Sequence, residues 1–176
     1  MPRLNKIEPA HASGRVKEIF EGPLKSAQKN IFKHMANSAA ALEVYVAMSG
    51  ALKHCSLSDK EREAIQLAIG QANNCHYCID AHTAIGKMSG LTEAQTIEAR
   101  KGRMSDPKLN ALVRFALAIQ EKKGFVSDAD VAAFKQAGYT DASVADVVAC
   151  YALALYTNYF NHVNETESDF PAAPKI

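Results

Sequence analysis

Apolar residues recur along this chain at three- and four-residue intervals, and those intervals are broken by capping residues. Leu42, Val46, Met48 and Leu52 predict a helix from Ala39 to His54, buried on one side. Ser58-Asp-Lys-Glu61 reads as a capping box opening the next helix, with Ile65, Ala68, Ile69 and Ala72 as its apolar stripe. Gly70 and the pair Asn73-Asn74 predict its end. A further helix starts near Cys75 and runs to about Met88, with Gly90 as its C-cap. Thr92 to Gln95 forms a second capping box, for a helix stopping at Gly102. Asp106-Pro107 places a cap before a proline in the first turn, and that helix carries Leu109, Leu112, Val113, Ala116 and Ile119 to about Lys123. Ser127 caps a helix ending at Gly138, and the longest runs from Thr140 or Asp141 to about Val163. Two shorter helices, Val16 to Glu21 and Ile31 to Met35, precede them; the first dozen residues and the tail after Glu165 read as extended. No sustained alternation or Asn-Gly hairpin marks a strand. The expected fold class is all-α, with seven to nine helices in one domain over 1–176.

Composition narrows the function more than the fold. The chain's 20 Lys+Arg against 19 Asp+Glu favour neither nucleic acid nor an anionic membrane. No apolar run has the length of a signal peptide or of a membrane span, so a cytoplasmic protein is expected. In that compartment a pair of cysteines spaced CxxC points to redox catalysis or metal rather than to a structural disulfide framework.

The chemistry concentrates between Glu63 and His82. Cys75, Cys78 and His82 follow one another at steps of three and four residues, about 300° and about 400° of helical rotation, so they share one face. A helix N-terminus near Cys75 favours a thiolate. His82, one turn after Cys78, lies within reach as a base, and two thiols at this spacing can close a disulfide within one turn. Glu63 belongs to the preceding helix. If the two helices pack antiparallel through the Asn73-Asn74 turn, it reaches the cysteine face, where a carboxylate fixes the tautomer of His82 or takes a proton itself; otherwise it is a solvated glutamate of a charged first turn.

Simpler readings apply to the rest. Zinc binding by Cys75, Cys78 and His82 needs a fourth ligand, and Cys55, Cys150 and His54 lack paired spacing, so no metal and no cofactor are expected. Cys55 and Cys150 read as packing cysteines, His76 as exposed and Tyr77 as packing. Tyr156, Tyr159, Phe160 and His162 read as core or subunit contact, with Asn158 and Asn161 as secondary candidates for lining a pocket.

The constellation Glu63-x11-Cys75-x2-Cys78-x3-His82 resembles the signature of the alkylhydroperoxidase D-like (AhpD-like) group of the carboxymuconolactone decarboxylase superfamily. The resemblance covers about 57–89 well and the C-terminal run TNYFNHVNETESDFP more loosely, where it is similar to peroxidase-related members. It implies an AhpD-like helical fold, homo-oligomers (trimers or hexamers), and thiol-dependent reduction of peroxides with an external dithiol as electron donor. It also implies roles: Cys78 attacks the peroxide, Cys75 resolves the sulfenic acid, and His82 with Glu63 relays protons. One position departs from the best-studied type, which has histidine immediately before the second cysteine; here that residue is Tyr77, and the histidine, His76, is one place earlier. Two other functions remain open: a decarboxylase-type lyase of the same fold, using His82 and Glu63 without thiol turnover, and a non-catalytic redox sensor.

Overall fold

A computed structural model describes all residues, 1–176, and contains nine α-helices with no strand. They are α1 (Gly14–Glu21), α2 (Asn30–Met35), α3 (Ala39–Leu52), α4 (Asp59–Ala72), α5 (His76–Met88), α6 (Glu93–Arg100), α7 (Pro107–Glu121), α8 (Asp128–Gln136) and α9 (Asp141–Asn164). The capping boxes at Ser58 and Thr92 are both closed, each with its side chain bonded to the third helical N–H and the glutamate or glutamine reaching back. Asp106 accepts from the N–H groups of Lys108 and Leu109 ahead of α7. No helix is long and apolar enough to cross a membrane.

Helix α4 is the centre of the arrangement. Its residues Ala64 to Gly70 are buried without a break, because α5, α6, α7 and α9 all pack on it. Two apolar clusters result. The larger joins α4 to α6, α7, α8 and the first half of α9. The smaller gathers α1, α2 and α3 around Cys75, Tyr77, Cys78 and Ala81 at the start of α5.

Gly70 does not end α4 as its sequence suggests. It lies inside the helix, and a Cβ built there would sit 3.5 Å from the Cβ of Cys78. That is an ordinary van der Waals distance, so the two helices of the α4–α5 hairpin pack closely where the cysteines are without requiring a glycine. The chain turns at Asn73-Asn74, with Asn74 in the left-handed region (φ 55°) that asparagine tolerates. Asn73 fixes this turn to the rest of the protein, donating to Asn158 Oδ1 of α9 (3.0 Å) and accepting from Gln120 Nε2 of α7 (2.8 Å).

The tail after α9 is extended, as expected, but it is fastened along its length. Asp169 accepts from the Asn30 N–H and from the Tyr77 hydroxyl. The Ala173 N–H donates to Asp80 of α5, and Arg100 of α6 donates to the Pro174 carbonyl. The tail is therefore a strap across the start of α5, with Phe170 edge-on to the Tyr77 ring.

Candidate functional site

Antiparallel packing of α4 and α5 sets the register of the site. Gly70 meets Cys78, and seven residues earlier on α4 Glu63 meets His82. Glu63 Oε2 lies 2.8 Å from His82 Nδ1, and both side chains are mostly buried, 15% and 19% exposed. A carboxylate only accepts, so this contact puts a proton on Nδ1, and in the neutral imidazole that leaves the lone pair on Nε2. Glu63 is thus no solvated first-turn glutamate.

Cys75 is the N-cap residue of α5 and Cys78 lies in the first turn. They are joined as a disulfide, and both are buried. The disulfide thus joins the N-cap of α5 to its first turn, and Glu63 meets His82 one turn further along α5. His76 is exposed.

A cavity of about 460 Å³ opens beside Cys78. Cys78, His82 and Glu63 line it together with Tyr45, Phe32 and Asn161; Cys75 does not. Of its 25 lining residues 13 are hydrophobic, and Lys29, Lys53, Arg62 and Asp59 contribute charge. Burial raises the pKa of Tyr45, Ser49 at its hydroxyl works against that rise, and the nearby Glu63 charge adds to it. The cavity wall thus carries the Cys78 and Cys150 sulfurs, the Glu63–His82 pair and the neutral phenols of Tyr45 and Tyr77. No group of three or more His, Cys, Asp or Glu side chains is placed to hold a metal ion.

Asn161 is the site residue that the sequence indicated least. Its Nδ2 donates to Cys78 Sγ at 3.4 Å, and its Oδ1 is buried with no partner. Asn158, which had equal standing in the sequence, is spent on the Asn73 turn instead. The signal separating them is helical phase, readable only when the face of α9 that meets α5 is known. Tyr77 packs, as expected, and also works as a donor: its hydroxyl gives a 2.8 Å hydrogen bond to Asp169 Oδ1. Burial, reinforced by that carboxylate, pushes its pKa far above the usual tyrosine value, so it remains a neutral donor.

Residues 39–119 match the model of the carboxymuconolactone decarboxylase family. The fold is AhpD-like, and the matched segment is similar to that family. Among solved structures, an alkylhydroperoxidase AhpD core, an uncharacterized peroxidase-related protein from Ralstonia eutropha JMP134, superimposes with a TM-score of 0.86 at 24% identity, over 96% of this chain and 92% of that one. An uncharacterized peroxidase-related protein from Silicibacter sp. TM1040 gives 0.80 at 19% identity, over 94% and 91%. The debrominase Bmp8 gives 0.79 at 14% identity, over 95% and 92%. The AhpD-like fold therefore carries more than one chemistry. No protein of curated function matches the chain in sequence.

Proposed function

We propose that this AhpD-like protein is a thiol-dependent alkyl hydroperoxide reductase, acting in the cytoplasm with an external dithiol as electron donor. The observation that carries this reading is the cavity wall itself, on which Cys78 and the hydrogen-bonded Glu63–His82 pair meet. In the reduced protein the sulfur of Cys78, at the positive end of α5, attacks one oxygen of a hydroperoxide. The O–O bond breaks, and His82, held by Glu63, manages the proton that the leaving alkoxide takes up. Asn161, bonded to the Cys78 sulfur, offers its free Oδ1 to the hydroperoxide O–H. Cys75 then displaces water from the Cys78 sulfenic acid, which yields the Cys75–Cys78 disulfide. A dithiol reopens that bond by exchange. The Tyr77 position departs from the best-studied pattern but lies outside this proton path, since its hydroxyl is committed to Asp169.

The subunits are proposed to form a homo-oligomer, a trimer or hexamer. Helix α3 is apolar on nearly all sides yet buries only Leu42 and Leu52, and Val44 on it stays 46% exposed. On α9, which packs beside it, Val148, Tyr159 and Val163 are also exposed. Apolar surface of this kind is what a second subunit covers.

The test is steady-state peroxide consumption with dithiol donors, on wild type and on Cys75→Ser, Cys78→Ser and His82→Gln. Loss in Cys78→Ser and strong impairment in the other two are expected. Unchanged turnover in Cys78→Ser sinks the assignment. Release of CO2 from a lactone would favour the lyase, and disulfide formation without turnover would favour a sensor.

A further inference from the structure

Helix α4 brings one more polar side chain to the site. Gln66 stands three residues after Glu63 and four before Gly70, steps of about 300° and about 400°, so the three share a face of α4. Glu63 meets His82 and Gly70 meets Cys78, so Gln66 is presented to the turn of α5 that separates those two. It is only 5% exposed, and it lines the cavity with Glu63, Cys78 and His82. Its Nε2 donates to the Cys150 carbonyl of α9 at 3.3 Å, which fixes the orientation of the amide. The other end of that amide, Oε1, is buried with no partner.

Two buried carbonyl oxygens without partners, Gln66 Oε1 and Asn161 Oδ1, therefore belong to residues lining one cavity. An unpaired buried acceptor is costly to keep, and a ligand that supplies the donor removes the cost. Donors nearby are committed elsewhere. Asn161 Nδ2 goes to Cys78 Sγ, the Thr157 hydroxyl to the Leu153 and Ala154 carbonyls of its own helix, and the Tyr77 hydroxyl to Asp169. A simple alkyl hydroperoxide has one O–H and can satisfy one of the two acceptors. The other calls for a second donor on the substrate.

We propose that Gln66 is a specificity-determining residue, and that the preferred substrates are organic hydroperoxides with a hydroxyl on the carbon next to the one bearing the peroxide. This rests on the peroxidase reading of the site. The peroxide O–H donates to Asn161 Oδ1 beside Cys78, and the hydroxyl O–H donates to Gln66 Oε1. Cys78 takes the terminal oxygen, the O–O bond breaks, and Cys75 closes the disulfide. In sum, two thiols and one hydroxylated hydroperoxide give one disulfide, one diol and one water. Hydrogen peroxide also has two O–H groups, but it lacks a carbon frame to meet the 13 hydrophobic residues of the wall. A site built to accept from a hydroxyl discriminates against the analogue without one, because its buried acceptor is then left unpaired.

The experiment follows oxidation of the reduced, desalted protein by rapid mixing, acid quench and thiol titration, as free thiols fall from four to two. Three oxidants are compared: tert-butyl hydroperoxide, its analogue with a hydroxyl on one methyl (2-hydroperoxy-2-methylpropan-1-ol), and hydrogen peroxide. Each rate is divided by that of the same oxidant with free dithiothreitol, which removes intrinsic reactivity. Wild type is expected to favour the hydroxylated compound about tenfold over tert-butyl hydroperoxide, and to favour it over hydrogen peroxide as well. Gln66→Leu, similar in size but without the acceptor, should bring the ratio of the two alkyl hydroperoxides to about one. The wild-type ratio involves no substitution, so it decides the matter should the variant fold poorly. Equal normalised rates in wild type overturn the inference and leave the peroxidase reading standing, whereas oxidation by none of the three overturns both. A preference that survives in a folded Gln66→Leu protein removes Gln66 from the role.

Discussion

Replacing Tyr77 by phenylalanine removes one oxygen and isolates what fastens the C-terminal strap. The ring remains, so its edge-on contact with Phe170 (5.8 Å between centroids) is kept. Lost is a 2.8 Å hydrogen bond to an ionised carboxylate, of a class worth about 1.5–3 kcal/mol net. Two local facts adjust that range. Asp169 is exposed and keeps its bond from the Asn30 N–H, so water replaces the missing donor and the cost moves to the lower part. The Ile31 N–H loses a longer contact to the same hydroxyl, 3.5 Å, which adds a little. The expected loss is about 1.5–2.5 kcal/mol, or roughly 3–10 °C in Tm for a chain of this size. Urea denaturation and thermal melting measure it, and a double-mutant cycle with Asp169→Ala assigns it to this pair. The pH dependence has a definite sign. Tyr77 is pushed up by burial first and by Asp169 second, and Tyr139 is raised by burial and by Glu61. A raised folded pKa means stability that is complete below the unfolded value of about 10 and lost as pH rises beyond it. Tyr77→Phe should therefore flatten the alkaline fall in stability, by up to about 1.4 kcal/mol per pH unit above pH ~10. A variant within about 0.5 kcal/mol of wild type, with no coupling to Asp169, refutes the reasoning.

Other outcomes follow from the same contacts. Gly70→Ala should be neutral or stabilising by up to about 1 kcal/mol in urea melts, since its Cβ meets Cys78 at an ordinary 3.5 Å and alanine is the better helix former. Burial alone would raise the pKa of Glu61, but the Ser58 hydroxyl and N–H, the Tyr139 hydroxyl and the Lys108 charge hold it below the usual value. Its contribution is therefore present above about pH 4.5 and lost as pH falls through the lowered value, and Glu61→Gln should reduce the acid sensitivity seen in pH-dependent melts. Val44→Glu combined with Val148→Glu should shift sedimentation toward smaller species if those faces meet another subunit; an unchanged profile removes α3 and α9 from the interface.

Local chemistry was legible in the sequence because it is local. Capping residues at Ser58, Thr92, Asp106, Ser127 and Thr140 each place a helix start where the structure has it. The shared face of Cys75, Cys78 and His82 followed from helical geometry, and the approach of Glu63 from one short turn. What escaped depends on how distant segments meet. Gly70 carries the same letter whether it ends a helix or lies inside one. Asn158 and Asn161 differ only in which way α9 is rotated against α5. The Tyr77–Asp169 bond joins parts of the chain that no periodicity relates.

The unbroken burial of Ala64 to Gly70 bears on how long the site's geometry lasts between excursions. Those backbone amides lie within the larger apolar cluster, so deuterium can reach them only when that cluster opens. Their exchange should be the slowest in the molecule and report global unfolding, while the half-exposed residues of α3 exchange sooner through partial openings. Glu63 stands at the edge of that slowest-exchanging segment, so its hold on His82 should persist through fluctuations that loosen α1 to α3 and the strap.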